Sequence, residues 1–142
     1  MCAVSGVLVL EPAAAENAAV RQALLRAVGA MNQAQAHRGP DDATVTQLGP
    51  LFAGHRRLSV IDLSGGRQPL TNEDGTVHAL VNGEIYNHRE LRGLLGARGH
   101  RFRTRSDSEV ALHAYEEWGV EALNRLRGMF ALALIDQRGG AA

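Results

Sequence analysis

The chain has 142 residues, 45% of them apolar, with fifteen basic and fifteen acidic side chains and one Cys. That length suits a single domain able to bury a sizeable core. The balanced charge argues against general nucleic-acid binding, and one Cys excludes both an internal disulfide framework and a Cys-rich metal site. Every basic residue is Arg, so a Schiff-base lysine and a lysine-dependent phosphate loop are excluded as well. The longest strongly apolar run, residues 129–135, is far too short to span a membrane. The first basic residue is Arg21, which leaves no charged opening for a signal peptide. A cytoplasmic localisation, without membrane or nucleic-acid partners, is the expectation.

In chain order, residues 4–10 read as a buried strand ending at Glu11-Pro12. Residues 16–33 read as a helix with Val20, Leu24, Val28 and Met31 at helical spacing. Residues 37–42 are a loop by composition. Strands are expected at 44–48, 51–60 and 77–82, with a turn at Asn72-Glu73-Asp74-Gly75. Asn87 followed by Glu90, and Ser106 followed by Glu109, match the N-cap and its reciprocal acid. The first opens a helix through Leu91, Leu94 and Leu95 that stops near Gly99. The second opens one carrying Ala111, Ala114, Tyr115 and Trp118. A helical turn around 120–126 leads to a strongly apolar strand, 129–136, and then Gln137-Arg138-Gly139-Gly140 reads as a hairpin turn. Strands and helices in blocks indicate an α+β sandwich rather than a βαβ array. The turn at the end has nothing to lead into, so the sequence reads as cut inside a domain, with one edge of its last strand unpaired.

Several residue sets carry possible chemistry. Once Met1 is removed, Cys2 would hold a thiol and a free α-amino group on one residue. Ordinary values of about 7.7–8.0 for such an amine and about 8.5 for a thiol let the amine take the thiol proton near neutral pH. Asn82 and the Gly83 N–H, at a strand end, could form an oxyanion hole, or simply an Asn-Gly turn. Arg57 could fork onto a carboxylate, or be a solvated strand residue. Asp107 lies in a first helical turn, where a carboxylate either binds a ligand or stabilises the helix. His37, His55, His78, His88, His100 and His113 show no i,i+4 pairing and no Cys partner, so no metal is expected. Ser64-Gly65-Gly66 begins like a pyrophosphate-binding loop, but Arg67-Gln68 follow where Asp-Ser would be needed.

Taken together and in order, Met1-Cys2, His37-Arg38-Gly39-Pro40-Asp41, Arg57-Leu58-Ser59-Val60-Ile61-Asp62, Gln68-Pro69-Leu70, Asn82-Gly83-Glu84-Ile85-Tyr86-Asn87 and Ser106-Asp107-Ser108-Glu109 closely resemble one family. It is the N-terminal glutaminase domain of glutamine-hydrolysing asparagine synthetases, a class II glutamine amidotransferase. The resemblance covers residues 1–136 and implies a four-layer αββα N-terminal-nucleophile sandwich, here incomplete at its C-terminus. It implies that Cys2 attacks the side-chain amide of free L-glutamine and that Asn82 and Gly83 hold the oxyanion. It further implies that Arg57 binds the α-carboxylate, that the backbone of Leu58, Ser59, Val60 and Ile61 lines the pocket, and that Glu84 and Asp107 recognise the α-ammonium. Ala3 departs from the family, which usually has Gly directly after the Cys.

Nothing in the chain resembles the ATP-dependent synthetase domain, so ATP and Mg are expected only for that missing part and no cofactor for this one. The partners expected are a separate synthetase chain, or a second copy pairing through the open strand edge. The competing expectation is a catalytically inactive remnant or interaction module that keeps the motifs by descent.

Overall fold

The computed structural model describes residues 2–59, 62 and 65–139. The chain divides into two units, one running to Leu58 and the other covering Ser59–Arg138. Both are mixed α/β, each built on a three-stranded antiparallel sheet.

In the first unit the sheet order is β1 (Ala3–Leu8), β3 (Leu51–Arg57), β2 (Asp42–Leu48). A short helix, α1 (Pro12–Glu16), takes its start from Pro12, whose missing N–H costs nothing in a first turn. It precedes α2 (Ala18–Ala34), which Asn17 caps by accepting from the Ala19 and Val20 N–H groups. The buried stripe of α2 is shifted from the expected one. Val28 is fully buried and packs with Ala15 and Phe52, flanked by Leu24 and Leu25, whereas Val20 and Met31 are exposed. The next residue on that stripe is Asn32, buried, with its Nδ2 donating to the Thr44 carbonyl. Strand β1 stops at Leu8, short of the expected Leu10, which is 85% exposed.

The second unit has the order β4 (Leu70–Thr71), β5 (Val77–Ile85), β6 (Gly128–Asp136). Two helices, α3 (His88–Ala97) and α4 (Glu109–Trp118), and a 3₁₀ helix (Gly119–Asn124) complete it. One face of β5 carries Val77, Ala79, Val81 and Ile85 into the core shared with Leu91, Leu95, Val110, Ala111 and Leu112. Phe130, Leu132 and Leu134 of β6 pack on the same core, as strand alternation requires. Among the described residues β6 pairs only with β5.

Both expected capping boxes differ in detail. Asn87 does sit at the N-cap of α3 but makes no cap bond, because its amide clips residues 125–127 through Arg125 O and Arg127 N–H. Ser108, not Ser106, precedes α4, and Glu109 reaches backward instead of to a cap. Its carboxylate accepts from the Arg103 and Thr104 N–H groups and the Thr104 hydroxyl. Among the described residues no helix is long and apolar enough to cross a membrane.

Candidate active site

In the first unit, antiparallel pairing of Ala3 with Arg56 delivers Cys2 to the end of β3. The Leu58 N–H points at the Cys2 Sγ from 3.5 Å, and Sγ lies 3.8 Å from the Leu58 carbonyl oxygen, able to donate to it. The thiol is half-buried and free. The loop that follows α2 explains its own sequence. Arg38 Nε donates to the Cys2 carbonyl at 3.2 Å, and the Asp41 N–H donates to the Arg57 carbonyl at 3.0 Å. Between them, a Cβ on Gly39 would stand 2.5 Å from the Arg57 nitrogen, so only glycine lets this loop lie against the end of β3. Arg57 is held there, 7% exposed. Leu58 is exposed and Ser59 half-buried, while Val60 and Ile61 lie outside the described residues.

In the second unit, Asn82, Gly83 and Glu84 lie inside β5 rather than at a turn leaving it. The expected strand end at 82 is overrun because β6 keeps pairing down to Ile85 opposite Gly128. Gly83 has φ +141°, and a Cβ there would overlap the Met129 carbonyl oxygen and sit 2.6 Å from the Phe130 Cα. The two sides of β5 can be told apart by their bonds. Thr76 O and the Tyr86 N–H bond residues flanking β6, whereas the Val81 N–H goes to Gln68 Oε1 at 2.6 Å and the Ile85 N–H to Asp107 Oδ2 at 2.7 Å. Gly83 lies midway between Val81 and Ile85, so the period of two turns its N–H to their side, away from β6. Gln68 also donates to the Val81 carbonyl, so this one buried side chain stands in for a neighbouring strand.

Asn82 and Glu84 share the face of β5 opposite the helical core. The Asn82 Oδ1 is buried without a hydrogen bond. Asp107 is 4% exposed, with its Oδ1 3.5 Å from the Ser106 hydroxyl. Burial, and after it the Asp107 carboxylate alongside, push the Glu84 pKa above the ordinary glutamate range. Two adjacent carboxylates of which one resists ionisation form a natural seat for a cation, and the neighbouring amide and glycine N–H can serve an anion.

The same unit holds a group that sequence spacing did not disclose. Glu73, His100 and His113 bring one ligand atom each within 4.8 Å of one another. They come from a turn, a loop and a helix far apart in the chain, so no short motif could signal them.

Comparison with known proteins places these features in context. Over 102 residues, 72% of this chain, the sequence is 52% identical to the glutamine-hydrolysing asparagine synthetase 1 of Arabidopsis thaliana. Over 110 residues it is 44% identical to the glutamine-hydrolysing asparagine synthetase 3 of Bacillus subtilis. The match spans only 17% and 18% of those relatives' lengths. Among solved structures, the glutamine phosphoribosylpyrophosphate amidotransferase of B. subtilis aligns with 61% of the chain and 21% of its own, at a TM-score of 0.50 and 23% identity, a likeness of fold. An allosteric regulatory enzyme of purine biosynthesis aligns over the same share, and 22% of its own chain, at a TM-score of 0.50 and 27% identity. With residues 1–142 all matching its family model, the chain belongs to the glutamine amidotransferase domain family.

Proposed function

We propose that this chain is the glutamine-hydrolysing module of an asparagine-synthetase-like enzyme and that Cys2, exposed by removal of Met1, is its nucleophile. The observation that carries the reading is the seat of Cys2, whose Sγ faces the Leu58 N–H and whose carbonyl is pinned by Arg38. The Sγ proton passes to the residue's own α-amine, and the thiolate adds to the side-chain amide carbon of glutamine. Asn82 Nδ2 and the Gly83 N–H donate to the oxyanion that forms. The amine returns the proton to the departing nitrogen, ammonia leaves, and water opens the thioester to give glutamate and the thiol.

Substrate choice follows from charge. Arg57 takes the α-carboxylate, the Leu58 and Ser59 backbone lines the pocket, and Glu84 with Asp107 takes the α-ammonium. A peptide-linked glutamine lacks both charges and is refused. The open edge of β6 is the surface on which a second copy would pair.

Mass spectrometry of the expressed chain tests the assignment. Met1 should be absent, and Cys2 should be labelled by a diazo-ketone analogue of glutamine at a rate that free glutamine suppresses. Cys2→Ala should abolish glutamate release. Retained Met1, or labelling indifferent to glutamine, would sink the proposal.

A further inference from the structure

Where the 72–75 turn, the loop after α3 and helix α4 meet, Glu73, His100, His113 and Glu116 come together, none of them used in the glutamine reading. We propose that Glu73, His100 and His113 bind one divalent transition-metal ion of the zinc type, with Glu116 able to join as a fourth ligand.

The donor atoms converge. His113 Nδ1 lies 2.7 Å from Glu116 Oε2 and 4.0 Å from Glu73 Oε2. His100 Nδ1 lies 3.7 Å from the same Glu116 oxygen, and the two imidazole centroids are 5.1 Å apart. Zinc bonds of about 2.0–2.1 Å in a tetrahedron place ligand atoms about 3.3 Å apart. The cluster therefore needs only a small inward movement, mainly of Glu73, whose side chain is 37% exposed. Two imidazoles with carboxylates favour zinc-type ions over magnesium or calcium, and two ionised glutamates match the charge of a divalent ion.

Three of the four donors are also held from behind, as ligands of a built metal site are. The other oxygen of Glu73 accepts from the Arg101 N–H at 2.8 Å. The other oxygen of Glu116 accepts from Asn72 Nδ2 at 2.7 Å. His100 Nε2 faces Glu117 Oε2 at 3.2 Å, which leaves Nδ1 to the ion. His113 forms the floor, 2% exposed, and Phe102 packs edge-on against its ring. Its Nε2 is buried without a hydrogen bond and faces Glu109 Oε1 from 3.7 Å. The ring is thus oriented by what lies on its Nδ1 side. The ion would replace the proton that Nδ1 shares with Glu116.

Calorimetric titration of the purified chain with ZnCl₂, confirmed by competition with a chromophoric chelator, tests this. One saturable equivalent is expected. Glu73→Gln and His100→Ala, both at the solvent-facing rim, should each weaken it by more than about 100-fold, and Glu117→Gln, which only orients His100, by about 10–100-fold. Circular dichroism should show these variants folded. Cys2→Ala and His37→Ala should bind as the parent does. In nitrogen NMR the Nδ1 signals of His100 and His113 should shift with the first equivalent. Absence of one-to-one binding, binding that survives Glu73→Gln combined with His100→Ala, or loss of binding in Cys2→Ala would overturn the proposal.

Discussion

Glu84 and Asn82, two residues apart on one face of β5, lend themselves to opposite tests. Glu84 ionises late, because burial and then the Asp107 carboxylate oppose its charge. Only the ionised form can pair with an ammonium group. The KM for glutamine should therefore rise as pH falls through the Glu84 pKa, beginning above the ordinary value of 4.5. Binding in that range should release protons, since the ammonium pulls the pKa back down. Glu84→Gln should raise KM about 10-fold, the loss of roughly 1.4 kcal/mol, and remove that pH dependence; a Gln variant with the parent's pH–KM profile would refute the role. In the proposed mechanism Asn82 acts instead on the transition state, so Asn82→Ala should lower kcat by about 100–1000-fold with little change in KM. Steady-state glutamate release reads both. Gly83 is a poor test of the same idea. Its Cβ would collide with Met129 and Phe130 before any question of catalysis arose.

At the scale of elements, the start of α4 depends on one carboxylate. Glu109, 3% exposed, is the acceptor for the Arg103 and Thr104 N–H groups and the Thr104 hydroxyl, and it faces His113. Glu109→Ala would strand these groups in the interior and should cost about 2–4 kcal/mol, read as a lowered urea midpoint. A midpoint within error of the parent would show the network to be dispensable. This role also marks where sequence reading stops. Long periodic segments such as α3, β5 and β6 were visible because their apolar faces repeat. The Ser106/Glu109 pair matched a capping pattern, yet the acid was taken by backbone donors upstream, a tertiary demand that no local pattern carries. Strand β4, two residues long, has no periodicity to read. Arg38, Gly39, Gln68 and Asn87 stood in the family motifs, but their work of clamping backbone appears only when strands pair. The Glu73–His100–His113 group was invisible for the same reason.

At the scale of the whole molecule, the proposed self-association rests on the side of β6 that pairs with no other strand among the described residues. By the alternation that turns Val81, Gly83 and Ile85 away from β6, the N–H groups of Phe130, Leu132 and Leu134 face outward from the sheet. Met129, on the same strand, is 65% exposed. The chain should pair with a second copy through this edge as concentration rises. Met129→Lys, a charge on an edge strand, should hold it monomeric in size-exclusion chromatography with light scattering. A parent chain that stays monomeric at all concentrations, or a variant that associates equally, would sink this. The opposite border of the same sheet behaves differently. There β4 offers two residues, and the amides of Val81 and Ile85 are already taken by the side chains of Gln68 and Asp107. With only the Gly83 N–H left between two occupied amides, that border offers an incoming strand little template. Growth of this sheet is therefore one-sided: two copies meeting through β6 would consume the accessible border of this sheet in each, and the joined sheet would end as a closed pair instead of lengthening strand by strand.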